Sequence, residues 1–153
     1  MGAFEQAVGR QIAAKLKADG FARRGQSFNR RRGCEIQVIS LQRSRNNTAL
    51  RARYTVNIGV TPDLGAPDAW VEASACRWRM RIGMLRPERQ DHWYDYRPDD
   101  PENLDAAIAE TLADIEAYAL PCLSETRFPS LATRTTVRVW QIVRVLLRRL
   151  GYL

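Results

Sequence analysis

The run Arg77-Trp78-Arg79-Met80-Arg81-Ile82-Gly83-Met84 constrains the fold more than any other stretch of the chain. Large apolar residues alternate with arginines, and a period of two is that of a β-strand, which sends successive side chains to opposite faces. Trp78, Met80 and Ile82 are therefore expected to be buried over a strand at 76–85, with Arg77, Arg79 and Arg81 sharing the other face. A register slip of one residue would reverse every one of them. Residues 50–60 repeat the logic: Arg51, Arg53, Thr55 and Asn57 alternate with Ala52, Tyr54, Val56 and Ile58. Together the two runs specify a half-buried antiparallel sheet with a basic, hydrogen-bonding outer face.

A chain of 153 residues that is 45% apolar suits one globular domain with a single substantial core. The net charge of +7 is the unusual quantity. Only Lys15 and Lys17 of the 24 basic residues are lysines, an arginine bias that fits a GC-rich genome and weakens any inference from charge alone. The charge is also segregated. Residues 98–126 carry 8 of the 17 acids and no Lys or Arg, so all 24 basic residues face only 9 acids elsewhere. The acidic and basic parts are expected either to pair within the fold or to face different partners.

Phe4, Val8, Ile12 and Leu16 recur every four residues and predict an amphipathic helix. Gly20 is placed to stop it in a left-handed conformation, with Phe21 touching back to Leu16. Strands are expected at 26–31, 35–43, 50–60, 76–85 and 93–96, and 61–69 reads as a loop because it holds Pro62, Gly65 and Pro67. Residues 70–76 are ambiguous. A second helix follows Asp100, an N-cap candidate with Pro101 behind it; Leu104, Ile108, Leu112, Ile115 and Ala119 form its stripe, and Pro121 is expected to end or kink it. Residues 133–150 read as a third helix. The fold class is α+β: a two-layer antiparallel sheet of four to five strands with an N-terminal helix, an acidic helix and a C-terminal basic amphipathic helix. The domain is placed at 1–129, and 130–153 is either part of it or an oligomerisation element.

Several short motifs in this order carry a resemblance. They are Gly20-Phe21, Gln42-x-Ser44, Tyr54-x-x-Asn57-x-Gly59, Trp78-x-x-Arg81-x-Gly83, Asp91-x-Trp93 and Ala119-Leu120-Pro121. The chain resembles, over roughly residues 4–123, a bacterial family of small α+β domains of unknown function. The resemblance implies the fold and a bacterial origin, and brings no activity, cofactor or catalytic residue with it.

The candidate binding residues are Arg51, Arg53, Asn57, Arg77, Arg79, Arg81 and Gln42. Guanidinium groups bind phosphate or carboxylate in bidentate fashion, so the face suits nucleic acid or an acidic protein; it suits a merely solvated face as well. No nucleic-acid motif accompanies it, and Tyr54 and Trp78 alternate with the arginines and so face the core. Gln42, Ser44 and Asn57 also fit the role of satisfying backbone groups where strands fray. His92, the sole histidine, lies beside Asp91 and near Asp95, which gives an acid–base reading to an enzyme alternative. There is no G-x-S-x-G, and a metal site would want more His, Cys or clustered carboxylates. No catalytic residue, metal or cofactor is assigned.

The acidic helix fits a solvated face or a second binding surface. On residues 133–150, an arginine stripe (Arg134, Arg138, Arg144, Arg148) faces a wide apolar arc, which suits packing in the core or a homodimer through Trp140, Val143 and Leu147 better than a membrane surface. Cys34, Cys76 and Cys122 form neither a disulfide framework nor a CxxC pair, and charges interrupt the N-terminal helix, so a cytoplasmic location is expected. The reading is a non-enzymatic protein-binding module, with an immunity or antitoxin-like role as one form. The alternatives are a nucleic-acid-binding module using the arginine face and an enzyme using Asp91, His92 and Asp95.

Overall fold

The computed structural model describes residues 2–125. The helix expected at 133–150, the dimer contact through Trp140, Val143 and Leu147, and the boundary at 129/130 lie outside the described residues. Helix α1 spans residues 3–18, as Ala3–Ala7, a π-helical turn Val8–Ile12 and Ala13–Ala18. Its stop has the expected form. The Phe21 N–H donates to Leu16 O at 2.9 Å and the Gly20 N–H to Lys17 O at 3.0 Å, with Gly20 at φ +85°. Arg30 closes the turn from the sheet: its Nη1 donates to Asp19 O at 2.8 Å, and its guanidinium lies 4.4 Å above the Phe21 ring.

Six strands form one antiparallel sheet: β1 Ala22–Arg24, β2 Ser27–Arg32, β3 Glu35–Arg43, β4 Ala52–Pro62, β5 Trp78–Arg81 and β6 Tyr94–Tyr96. The order is β1-β2-β3-β4-β5, with β6 also on β4. β5 pairs with Asn57–Val60 and β6 with Ala52–Tyr54, so the two short strands lie end to end along one edge of β4. The strand β1 was not foreseen. Its three residues are all exposed and carry no apolar period.

The strand expected at 76–85 is shorter than its alternation implies. β5 ends at Arg81, and Ile82–Met84 is a 3₁₀ turn. Gly83 explains the stop: a Cβ there would stand 2.2 Å from Gln90 O and 2.6 Å from His92 N, so another backbone occupies the path of a longer strand. Ile82 is buried as expected, but in the turn. Trp78 and Met80 are half-buried, because β5 is an edge strand that the helices cover only in part.

Helix α2 spans residues 101–125, as Pro101–Asp114, a π-helical turn Ile115–Ala119 and Leu120–Glu125. Asp100 caps it, accepting from the Asn103 N–H at 3.0 Å. Pro121 does not end the helix. The π turn Ile115–Ala119 directly precedes its segment, and the wider i→i+5 ladder there, with the Leu120 N–H on Ile115 O, gives the proline ring room that a regular α-turn would not.

Both helices cover one face of the sheet. Phe4, Val8, Ile12 and Leu16 from α1 and Leu104, Ile108, Ile115 and Leu123 from α2 meet Ile39, Leu41, Val56, Ile58 and Val60. Phe4, Tyr54, Tyr94 and Tyr96 form an aromatic cluster with ring centroids 4.9–5.9 Å apart. The buried Tyr54 hydroxyl is satisfied by Thr111 Oγ1 at 2.7 Å. Gln37, also buried on this face, donates to Leu123 O at 2.7 Å and accepts from Arg30. Among the described residues, no helix is long and apolar enough to cross a membrane.

Candidate functional site

The outer face of the sheet is only partly open. Ile36 and Val38 point outward from β3 and form a small cluster with Ala73 and Cys76, packed by Ala69 and Val71. The loop after β4 thus folds back across the centre of the outer face. Gly59 is the contact point: a Cβ there would stand 2.5 Å from Cys76 Sγ. The signal lay in β3, where Ile36 and Val38 are apolar on the face opposite Ile39 and Leu41. A strand apolar on both faces needs cover on both.

Beside this cover runs an open polar strip. Asn57 stands in register with Ser40 on one side and Arg81 on the other, and Gln42 faces Thr55. Gln42, Asn57, Arg79 and Arg81 line one cleft of about 390 Å³, together with Ala73, Ser74 and Met80. Four of the seven residues proposed from sequence therefore meet at one place. Asn57 Nδ2 donates to Gln42 Oε1 at 2.9 Å, which leaves the Asn57 carbonyl and the Gln42 amino group side by side. Ser44 turns away from the cleft and accepts from the Asn46 N–H at 3.2 Å, a turn role.

The other three separate from the cleft. Arg51 precedes β4, pairs with Asp95 at 3.4 Å, and lines a neighbouring hollow with Arg53, Asn46, Asn47 and Thr48. Arg77 is exposed just before β5 and lines neither.

Trp93 is the residue that sequence reasoning missed. The guanidinium groups of Arg53 and Arg81 lie 4.9 and 5.3 Å from its ring centroid. Its Nε1 donates to Asp91 Oδ2 at 3.0 Å, and Arg81 Nη1 donates to the same oxygen at 2.6 Å. Burial alone would raise the Asp91 pKa; the bonds from Arg81 and Trp93 outweigh it and hold this carboxyl below its usual range. The basic face does carry an aromatic ring, but arginines already stack on it.

The association of His92 with Asp91 and Asp95 that the enzyme alternative needs does not form. Asp91 is taken by Arg81 and Trp93, and Asp95 by Arg51. His92 points to the helix side of the edge instead, where its Nε2 lies 3.0 Å from Glu110 Oε1 and 3.1 Å from Arg86 Nη1. Arg86 Nη1 is also 3.3 Å from Glu110 Oε1 and 2.5 Å from Asp114 Oδ2. The Tyr94 hydroxyl donates to Asp114 Oδ2 at 2.7 Å. Burial would lower the Arg86 pKa, but the Asp114 bond and charge reverse this and raise it; burial and Asp114 together push the Tyr94 hydroxyl well up.

The acidic segment thus pairs within the fold on the helix side. Glu110 and Asp114 hold Arg86, and Glu116 holds Lys15 at 3.3 Å. The outer-face arginines draw their counter-charges from Asp91 and Asp95 instead.

Residues 12–125 match the family described as a domain of unknown function (DUF4304), and the chain belongs to that family. Neither the curated proteins nor the solved structures offer a significant match to it.

Proposed function

We propose that this member of the family is a non-enzymatic binding module whose outer sheet face takes an acidic segment of a protein partner. One observation carries the reading: Gln42, Asn57, Arg79 and Arg81, from three strands, line one cleft that sets the Asn57 carbonyl and the Gln42 amino group beside two guanidinium groups. A side-chain carboxylate and the peptide group next to it supply the matching charge, donor and acceptor. The lining pairs no nucleophile with a general base.

The same face suits nucleic acid less well. Asp91 and Asp95 pair Arg81 and Arg51, so the face lacks the run of unpaired cations that a phosphate backbone engages, whereas a single carboxylate needs only one. Trp93 is occupied by Arg53 and Arg81, so a base gains no open ring to stack on. The described cysteines form no disulfide, which suits the cytoplasm.

The experiment is an NMR titration of the full chain, at low salt, with a Glu-rich peptide and separately with a mixed-sequence oligonucleotide. The side-chain amides of Gln42 and Asn57 should shift with the peptide, and Arg79→Glu with Arg81→Glu should abolish the shift. A response to the oligonucleotide alone favours the nucleic-acid reading; a response to neither removes the cleft as a site for anionic ligands.

A further inference from the structure

At the other side of the β5–β6 loop, one imidazole and two carboxylates gather round a single guanidinium. His92 reaches it from that loop. Glu110 and Asp114 reach it from α2, where a spacing of four places both carboxylates on one helix face. One ligand atom from each of the three lies within 4.8 Å of the others. They converge on a single cationic nitrogen, Arg86 Nη1, at 3.1, 3.3 and 2.5 Å.

We propose that His92, Glu110 and Asp114 are protein ligands for a divalent first-row transition metal of the Zn²⁺ class, and that the Arg86 guanidinium competes with the ion for the same point. The donor set is one imidazole and two carboxylates, which suits such an ion and leaves further positions to water. Two ligands at about 2.1 Å from one ion, set 90–110° apart, stand about 3.0–3.4 Å from each other. The His92 Nε2 and Glu110 Oε1 atoms, 3.0 Å apart, already have that spacing. Asp114 completes the set, its ligand atom within 4.8 Å of the other two.

Two further contacts preorganise the site. Tyr94 donates to the Asp114 carboxylate and fixes its plane, the role that outer hydrogen bonds play around metal ligands. Gly83 lets the Gln90 and His92 backbone sit directly against it, which sets where the imidazole can reach. Glu110 is half exposed, so an ion can enter from solvent. His92 lies between Asp91 and Trp93, so an ion bound here also steadies the loop that shapes the outer face. The inference does not rest on the outer cleft.

The test is titration of the full-length chain with Zn²⁺ by calorimetry and with Co²⁺ by absorption. Co²⁺ separates this site from the three cysteines, because thiolate ligands add an intense near-ultraviolet charge-transfer band that imidazole and carboxylate do not. One equivalent of Co²⁺ should bind with visible d–d bands and without the thiolate band. Glu110→Gln, at an exposed position that does not threaten folding, and His92→Gln should each weaken binding about tenfold or more. Arg86→Ala should strengthen it, since the competing cation is gone. Absence of saturable binding in both the wild type and Arg86→Ala overturns the proposal. So does binding that Glu110→Gln and His92→Gln leave unchanged, or that carries the thiolate band.

Discussion

The Tyr94 hydroxyl donates to Asp114 Oδ2 across 2.7 Å, tying β6 to the middle of α2 at a point where Asp114 also holds Arg86. The two partners are not equivalent. Tyr94→Phe removes one donor and leaves Asp114 with its guanidinium, so it should cost about 1–2 kcal/mol in chemical denaturation. Asp114→Ala leaves the buried Tyr94 hydroxyl without its acceptor and Arg86 with only the exposed Glu110 and Glu88, and should cost more, about 2–4 kcal/mol. Equal losses for the two variants would contradict this hierarchy.

Gly83→Ala places a methyl within 2.2–2.9 Å of Gln90 O, His92 N and His92 Cβ. Two of the three are backbone atoms, so the 86–93 loop must move as a unit. We expect a loss of about 1–3 kcal/mol together with changed tryptophan fluorescence, since Trp93 rides on that loop. An unchanged emission spectrum would show that the loop is not held against Gly83.

Cys76 is buried under the outer loop, and burial pushes its thiol up to about 11. Only the thiolate is the nucleophile. In the folded protein at pH 8, iodoacetamide should therefore leave Cys76 unmodified, as peptide mapping would read, and labelling should appear once denaturant opens the loop. Rapid native labelling of Cys76 would mean that the loop does not stay on the sheet.

Ser27 Oγ is buried on the outer side of β2 and has no hydrogen-bond partner. Folding therefore desolvates a hydroxyl without compensation. Ser27→Ala should raise stability by about 1 kcal/mol. A destabilised Ser27→Ala in urea titrations would show that the hydroxyl is satisfied after all.

Acid should weaken the fold through Asp91 and Asp100. The Asn103 backbone N–H, and then Arg97, hold the Asp100 carboxyl below its ordinary value, as Arg81 and Trp93 do for Asp91. A carboxyl with a lowered folded pKa contributes stability that is present above the unfolded value of about 3.9. That contribution is lost as pH falls through the lower folded value. From these groups, Tm should be flat above about pH 5 and fall below about pH 4. Asp91→Asn and Asp100→Asn should each flatten the acid limb of a Tm–pH series, and an unchanged limb would locate the acid sensitivity elsewhere.

Local and periodic features were legible along the chain. The four-residue apolar repeat set α1, Gly20-Phe21 stopped it, Asp100-Pro101 started α2, and alternation decided which face of β4 and β5 the arginines share. Each of these depends on contacts within a few residues along the chain. How far β5 runs was set by long-range packing, because Gly83 lies against a backbone that arrives from residues 90–92. Such packing likewise decided that the loop before Cys76 covers Ile36 and Val38 on the outer face and that Trp93 comes to lie under two arginines. The sharpest case is His92. Its sequence neighbours Asp91 and Asp95 are drawn off by Arg81 and Arg51, and it meets Glu110 and Asp114 instead. Alternation along a chain fixes which side a residue takes, but long-range pairing, set by where α2 docks on the sheet, fixes what it touches.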